Sequence, residues 1–195
     1  MRKLVVNEFL SLDGVMQGPG SPEEDTEGGF EHGGWQVEYF DDAILESAQK
    51  GMAETDAYLF GRRTYQIMAA FWPNAPADDP FGGHLNRTRK YVASRTLTDL
   101  EWQNSTLLEG DVPEAVRKLK EEPGGNITVL GSGKLVHTLL ANDLVDELGL
   151  IVSPIVLGSG KRLFRDLGDK RRWELVEAKP TPKGNLVLAY RPVRA

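Results

Sequence analysis

Residues Asn126 to Leu140, NITVLGSGKLVHTLL, decide the fold. Ile127, Thr128, Val129 and Leu130 form a short β-rich run. After Gly131-Ser132-Gly133 the apolar residues fall at Leu135, Val136, Leu139 and Leu140, the spacing of one helix stripe. A strand, a tight glycine turn and a helix start in succession leave several backbone N–H groups unpaired and converging, which suits a phosphate. This reads as the pyrophosphate cradle of a nucleotide cofactor. The plainer reading is a strand-to-helix turn whose glycines only relax the backbone, and a short Gly-x-Gly is compatible with both. Two better-defined motifs are excluded. A Walker loop needs glycine at 128 and a hydroxyl after Lys134, where Thr128 and Leu135 stand. The dinucleotide fingerprint needs glycine at 136, which is Val136, and an acid ending the next strand, which reads Leu150-Ile151-Val152-Ser153.

Two earlier strands end in similar chemistry. Ala57 to Phe60 is a short strand that stops at Gly61-Arg62-Arg63-Thr64, a glycine followed by two guanidinium groups and a hydroxyl at a helix start. Arginine grips phosphate through two parallel hydrogen bonds, which lysine cannot do. Arg89 to Ala93 is another strand, followed by Ser94-Arg95-Thr96. The Gly61 tetrapeptide alone also reads as two solvated arginines on an exposed turn. Gathered on one edge of a parallel sheet, the three ends make a nucleotide site with arginines to spare for a 2′-phosphate, so NADPH is preferred over NADH.

Lys3 to Leu12 is dense in β-formers and ends at the turn signal Asp13-Gly14, a first strand with a carboxylate at its C-terminal end. Ligands collect at that edge of open α/β sheets, so Asp13 is a candidate functional group; closing an Asx turn before Gly14 is its alternative use. Val15 to Gly34 lacks apolar periodicity and is rich in Gly, Pro and acid, the mark of a long functional flap or loop. His32 and Trp35 near its end either face a ligand or pin the loop. Phe40 to Met52 has helical spacing, with Asp41 and Asp42 where the dipole favours acids. Asp111 with Glu114 three residues on opens a further helix. Leu144 to Val152 is a strand, Gly158-Ser159-Gly160 a second glycine turn, and Trp173 to Ala178 with Leu186 to Tyr190 a terminal hairpin. A parallel α/β core finished by antiparallel strands results.

The 195 residues fit one domain, 1–195, with a core that needs no staples. With 23 basic and 29 acidic side chains the net charge is 23 − 29 = −6, which argues against nucleic acid held by bulk electrostatics. There is no cysteine, so disulfides and thiolate metal sites are out, and the three histidines lack partners at ligand spacing, so no metal is expected. The apolar start breaks at Asn7 and Glu8, too soon for a signal peptide, and no run suits a membrane span. A soluble cytoplasmic protein is expected.

The ordered set Ser11-Leu12-Asp13-Gly14, Gly61-Arg62-Arg63-Thr64-Tyr65, Gly131-Ser132-Gly133, Leu144-Val145-Asp146-Glu147-Leu148 and Pro154-Ile155-Val156-Leu157-Gly158 resembles the dihydrofolate reductase-like superfamily. The nearest branch is the reductase domain forming the C-terminal half of bacterial riboflavin-biosynthesis deaminase/reductases, with its stand-alone relatives. The resemblance covers nearly the whole chain. It implies a mixed, mostly parallel sheet of about eight strands flanked by helices, a homodimer, and NADPH laid across the strand ends. It further implies that Arg62, Arg63 and Thr64 hold adenosine-side phosphates, with Ser94 and Arg95 beside them. Gly131, Ser132, Gly133, Lys134 and Leu135 would hold the pyrophosphate. Asp13 would face substrate and, protonated, assist hydride addition to a C=N bond. Dihydrofolate reductases place a carboxylate on the first helix shortly after a Trp, which marks Trp35 and Asp41 as substrate contacts here. The riboflavin branch carries Glu just before its glycine turn, where this chain has Leu130. The resemblance thus implies an NADPH-dependent oxidoreductase acting on a small heterocycle, most like a ribosylaminouracil reductase. The alternatives are a dihydrofolate or pterin reductase and, from another class, a nucleotide-binding module without catalysis.

Overall fold

A computed structural model describes residues 1–76, 78–164 and 168–194. Its centre is an eight-stranded sheet of order β4-β3-β2-β5-β1-β6-β8-β7. The strands are β1 (Leu4–Ser11), β2 (Thr55–Gly61), β3 (Arg89–Ala93), β4 (Ser105–Leu107), β5 (Asn126–Leu130), β6 (Glu147–Ser153), β7 (Trp173–Pro180) and β8 (Leu186–Pro192). The first six pair in parallel, while β8 and β7 close the far edge antiparallel. The mixed, mostly parallel α/β architecture with a C-terminal antiparallel pair is therefore as the sequence indicates.

Five α-helices flank the sheet among the described residues: α1 (Asp42–Ala53), α2 (Arg62–Phe71), α3 (Pro80–Arg87), α4 (Val112–Glu121) and α5 (Gly133–Ala141). The period of two along each strand sorts side chains to two faces. Leu4, Val6, Leu10, Ala57, Leu59, Ile127 and Val129 pack with Val116 and Leu119 of α4 and Leu135, Val136 and Leu139 of α5. Tyr58, Phe60 and Val92 face the other way, against Tyr65 of α2 and Leu85 of α3. Truncating one of the fully buried leucines, such as Leu139, would cost about 2–5 kcal/mol.

The strand order positions the site. From β1 the chain crosses by α1 to β2, two places along the sheet, then moves outward to β3 and β4. From β5, which fills the gap, it crosses by α5 over β1 to β6, in the opposite direction. Right-handed crossovers running in opposite directions cover opposite faces, so the C-terminal ends of neighbouring β5 and β1 part around a crevice.

Several boundaries differ from the sequence reading. The strand expected from Leu144 begins at Glu147, because Leu144 and Val145 are buried in the preceding turn. α3, for which no helical spacing is read, starts at Pro80 and is capped by Asp79, which accepts from Gly82 N at 2.7 Å. The three-residue β4 carries no periodicity to read.

Candidate cofactor cleft and active site

The three strand ends singled out by their anion-binding chemistry do meet. Gly61, Arg62, Arg63 and Thr64 after β2, Ser94 and Arg95 after β3, and Gly131 to Leu135 after β5 all line one cleft at the C-terminal edge of the sheet. A direct bond ties two of them: Gly61 N donates to Ser132 Oγ at 2.8 Å. The packing there admits no side chain on Gly61, where a Cβ would lie 2.9 Å from Ser132 Oγ. Ser132 itself holds a left-handed backbone, φ 76°, a conformation that non-glycine residues keep only where their surroundings impose it.

That bond has a consequence for the helix starts. α1, α3 and α4 are each capped by an aspartate, Asp41, Asp79 and Asp111, whose carboxylates accept from Ile44, Gly82 and Glu114 N–H. α5 starts at Ser132, the kind of residue that caps helices, but no side-chain cap forms: its backbone is left-handed where a cap residue is extended, and its hydroxyl is turned to Gly61. α2 starts at Gly61 and has no side-chain cap either. Two helices from opposite faces of the sheet thus bring uncapped N-termini to the same cleft, one with Arg62 and Arg63 in its first turn. Backbone donors, helix dipoles and guanidinium groups converge there as phosphate binding requires. Arg62 and Arg63 are exposed; Arg63 lies 3.6 Å from Asp25 of the 15–34 loop. Ser94 Oγ accepts from Thr96 and Leu97 N–H and shapes the turn after β3.

The 15–34 loop is not loose. Gln17 Nε2 donates to Asp25 and Glu27 carbonyls, its Oε1 accepts from Lys161 N, and Lys161 Nζ pairs with Asp25 and Glu27, each at 2.6 Å. Burial would raise the Asp25 carboxyl, but the hydrogen bond and charge of Lys161 prevail and hold it below the usual range. Lys161, which follows the glycine turn at 158–160, thus staples this loop, while the turn itself gives its Gly158 N–H to the Asp13 carboxylate.

Three residues suggested for substrate contact have other partners. Asp13 Oδ1 accepts from Ser11 Oγ at 2.7 Å and Leu157 N at 3.1 Å, and Oδ2 accepts from Gly158 N and Arg162 Nη2, each at 3.0 Å. The Ser11 hydroxyl first, then these amides and the guanidinium, hold its carboxyl far below the usual carboxylate range. It stays ionised with both oxygens engaged, so it does not fit the role of proton donor. Trp35 is buried with Val15 and Phe30, and its indole N–H donates to Gln17 O at 2.8 Å: it pins the loop. Asp41 caps α1 and accepts from Lys183 N at 3.1 Å with its other oxygen. None of the three lines the cleft.

Two residues the sequence reading passed over do line it. Asn7, on β1, lies over Gly149, where a Cβ would collide with its Oδ1. Glu8, next along, is buried at 7% exposure, and its Oε1 has no hydrogen-bond partner among the described residues. Burial pushes its carboxyl up to about 8, against the pull of the Gly131 backbone amide. The signal was available: Leu4, Val6, Glu8 and Leu10 alternate onto one face, so a charge sits among core positions.

The fold and cleft define a doubly wound α/β protein whose switch-point cleft is lined by two uncapped helix starts and by arginines. The chain belongs to the RibD C-terminal domain family, whose match spans residues 2–187. It is 25% identical over 192 residues to the uncharacterized protein YyaP of Bacillus subtilis, covering 97% of this chain and 94% of that one. It is 28% identical over 120 residues to YwjB of the same organism, 62% of this chain and 64% of that one. A putative riboflavin biosynthesis protein from Shewanella superposes with TM-score 0.71 at 20% identity, covering 98% of this chain and 99% of that one. A deaminase/5-amino-6-(5-phosphoribosylamino)uracil reductase from Thermotoga maritima superposes with TM-score 0.64 at 15% identity, over 98% of this chain and 57% of that longer one. Among the described residues no helix is long and apolar enough to cross a membrane.

Proposed function

We propose that the chain, working as a single domain, is an NADPH-dependent reductase that adds hydride to a C=N bond of a pyrimidine- or pterin-like heterocycle. The reading is most like reduction of a phosphoribosylaminouracil, the activity in the name of the Thermotoga protein. Family membership supports the reaction class. The observation that carries the cofactor is the pair of uncapped helix starts clasped by Gly61 and Ser132 beneath two exposed arginines.

In this reading Arg62, Arg63 and Thr64 hold adenosine-side phosphates with Ser94 and Arg95 beside them, and Gly131 to Leu135 hold the pyrophosphate. Bound NADPH supplies the hydride. The cleft continues between the sheet and α1, where Phe9, Phe40, Ala48 and Met52 supply apolar walls and Asn7 and Gln36 supply amides, suited to a flat heterocycle. The β7 edge, on which Leu175 and Val176 are exposed, is the surface on which a homodimer would form. Cytoplasmic location belongs to the same proposal.

Fluorescence titration of NADPH and NADH separately tests the cofactor, with NADPH expected to bind more tightly. Oxidation of bound NADPH is then followed over a panel of aminouracils and pterins. Equal affinity for both cofactors would remove the 2′-phosphate assignment. Binding without oxidation across the panel would make the protein a nucleotide-binding module instead.

A further inference from the structure

Glu8 occupies the switch point itself. Its neighbour Asn7 pairs with Leu130 of β5, so the Glu8 carboxyl lies against the Gly131 amide, while Glu8 pairs with Leu150 of β6 on the other side. It lines the cleft together with Gly131, Gly133 and Met16. A buried carboxyl with one unpartnered oxygen is costly, and the structure retains it on the wall of the cleft, where a bound ligand can supply the partner. The terminal torsion of glutamate is broad, so a small rotation brings that oxygen to the cleft.

Strand order says which part of a dinucleotide arrives there. The sheet runs β3, β2, β5, β1. With the adenosine side at the ends of β3 and β2 and the pyrophosphate at β5, the remaining end of the molecule falls over β1. We infer that Glu8 recognises the nicotinamide end of the bound cofactor, its carboxylic acid donating an O–H hydrogen bond to the carboxamide oxygen. This rests on the cofactor assignment above and adds a residue to it.

The charges around Glu8 are otherwise accounted for. On α5, Lys134 is exposed and His137 Nε2 bonds the Leu163 carbonyl. After β6, Lys161 pairs with Asp25 and Glu27, and Arg162 with Asp13. On β6, Glu147 pairs with Arg191. Arg62 and Arg63 stand at the start of α2 on the far side of the glycine turn. None of these sets the Glu8 proton affinity, which burial raises and the Gly131 amide opposes.

The test compares two probes on the whole protein: NADPH, and 2′-phospho-ADP-ribose, which keeps the phosphates and lacks the nicotinamide. Both are titrated from pH 7 to 9 into wild type, Glu8→Gln and Glu8→Leu, with each variant's fold checked by circular dichroism. Wild-type affinity for NADPH should fall about tenfold by pH 9 as Glu8 ionises, while 2′-phospho-ADP-ribose binding stays level because its phosphate ionises near 6. Glu8→Gln keeps a donor without a charge, so it should bind NADPH within about threefold of wild type and lose the pH slope. Glu8→Leu should bind NADPH about tenfold more weakly and 2′-phospho-ADP-ribose unchanged. An unaltered slope in Glu8→Gln, equal losses for both probes in Glu8→Leu, or no loss at all would overturn the role of Glu8. Failure of both probes to bind wild type would instead overturn the cofactor assignment, and this inference with it. If Glu8→Leu does not fold, the Glu8→Gln slope alone decides.

Discussion

The rim formed by the ends of β2, β5 and β1 and the corner formed by Asp13 lie at the same edge of the sheet and treat polar groups in opposite ways. At the corner Asp13 meets a hydroxyl, two amides and a guanidinium, and nothing is left over. At the rim two helices start without a cap, Ser132 is held left-handed, and Glu8 keeps an oxygen without a partner. Folded proteins pair their buried polar groups, and departures from that habit concentrate where a ligand completes the set. Charge at a strand end is therefore a poor guide to function by itself. What distinguishes rim from corner is whether the charge is already answered.

The sharpest test of this contrast is the stability of Glu8→Gln. The wild-type carboxyl is raised from the ordinary 4.5 to about 8, so between those values the folded protein holds a proton that the unfolded chain has released. Wild-type stability then falls as pH rises through that window and levels off above it. The glutamine variant has no such slope. It should gain about 2–4 kcal/mol over wild type by pH 8, on the order of ten degrees in Tm, with the gain shrinking toward pH 5. Thermal melts at pH 5, 6.5 and 8 measure it, and parallel melting curves for the two proteins would place Glu8 among satisfied groups.

Next in size is Arg62→Ala with Arg63→Ala. Each removes a charge-assisted contact, and together they should weaken NADPH binding about a hundredfold, NADH far less. Both side chains are exposed, so the Tm should move by no more than about a degree. A loss of stability without loss of NADPH preference would turn the rim into a second structural corner.

Asp13→Asn probes the corner from the other side. The amide cannot accept all four hydrogen bonds and leaves Arg162 without its ion partner, so stability should drop by about 2 kcal/mol. NADPH affinity should stay within about twofold. The native carboxyl is depressed, so its contribution is present above the ordinary carboxylate range and is lost only in strong acid. The difference in Tm from Asp13→Asn should therefore persist unchanged from pH 8 down to pH 5.

How much of this was legible in the chain follows from range. The β5–α5 stretch, the arginine-bearing strand ends and the hairpin are local patterns, and each lies where its pattern puts it. The fates of Asp13 and Gln17 depend on Arg162 and Lys161, 149 and 144 residues away, which no local spacing reports. Trp35 could face a ligand or pin a loop, and only the position of the Gln17 carbonyl selects the second. Glu8 was visible by parity alone, but its burial depends on β5 and β6 closing around it.

The smallest effect separates a helix cap from a substrate ligand at Asp41. Its Oδ1 holds Ile44 N–H and its Oδ2 holds Lys183 N–H, so Asp41→Ala should destabilise the protein by about 1 kcal/mol. Serine is as good a cap as aspartate, and Asp41→Ser should recover most of that loss. Serine cannot replace a carboxylate that binds or protonates a heterocycle. If Asp41 were a substrate ligand, Asp41→Ser would melt like wild type and yet turn over poorly. On the geometry here, kcat and KM of Asp41→Ser stay at wild-type values, and the two alanine effects, on Tm and on turnover at the melting edge, track each other. The same logic applied to Ser132, whose hydroxyl serves Gly61 and not its own helix, gives the opposite expectation under the proposed cofactor assignment: Ser132→Ala should loosen the link between the two uncapped helix starts and lower NADPH affinity in a fluorescence titration.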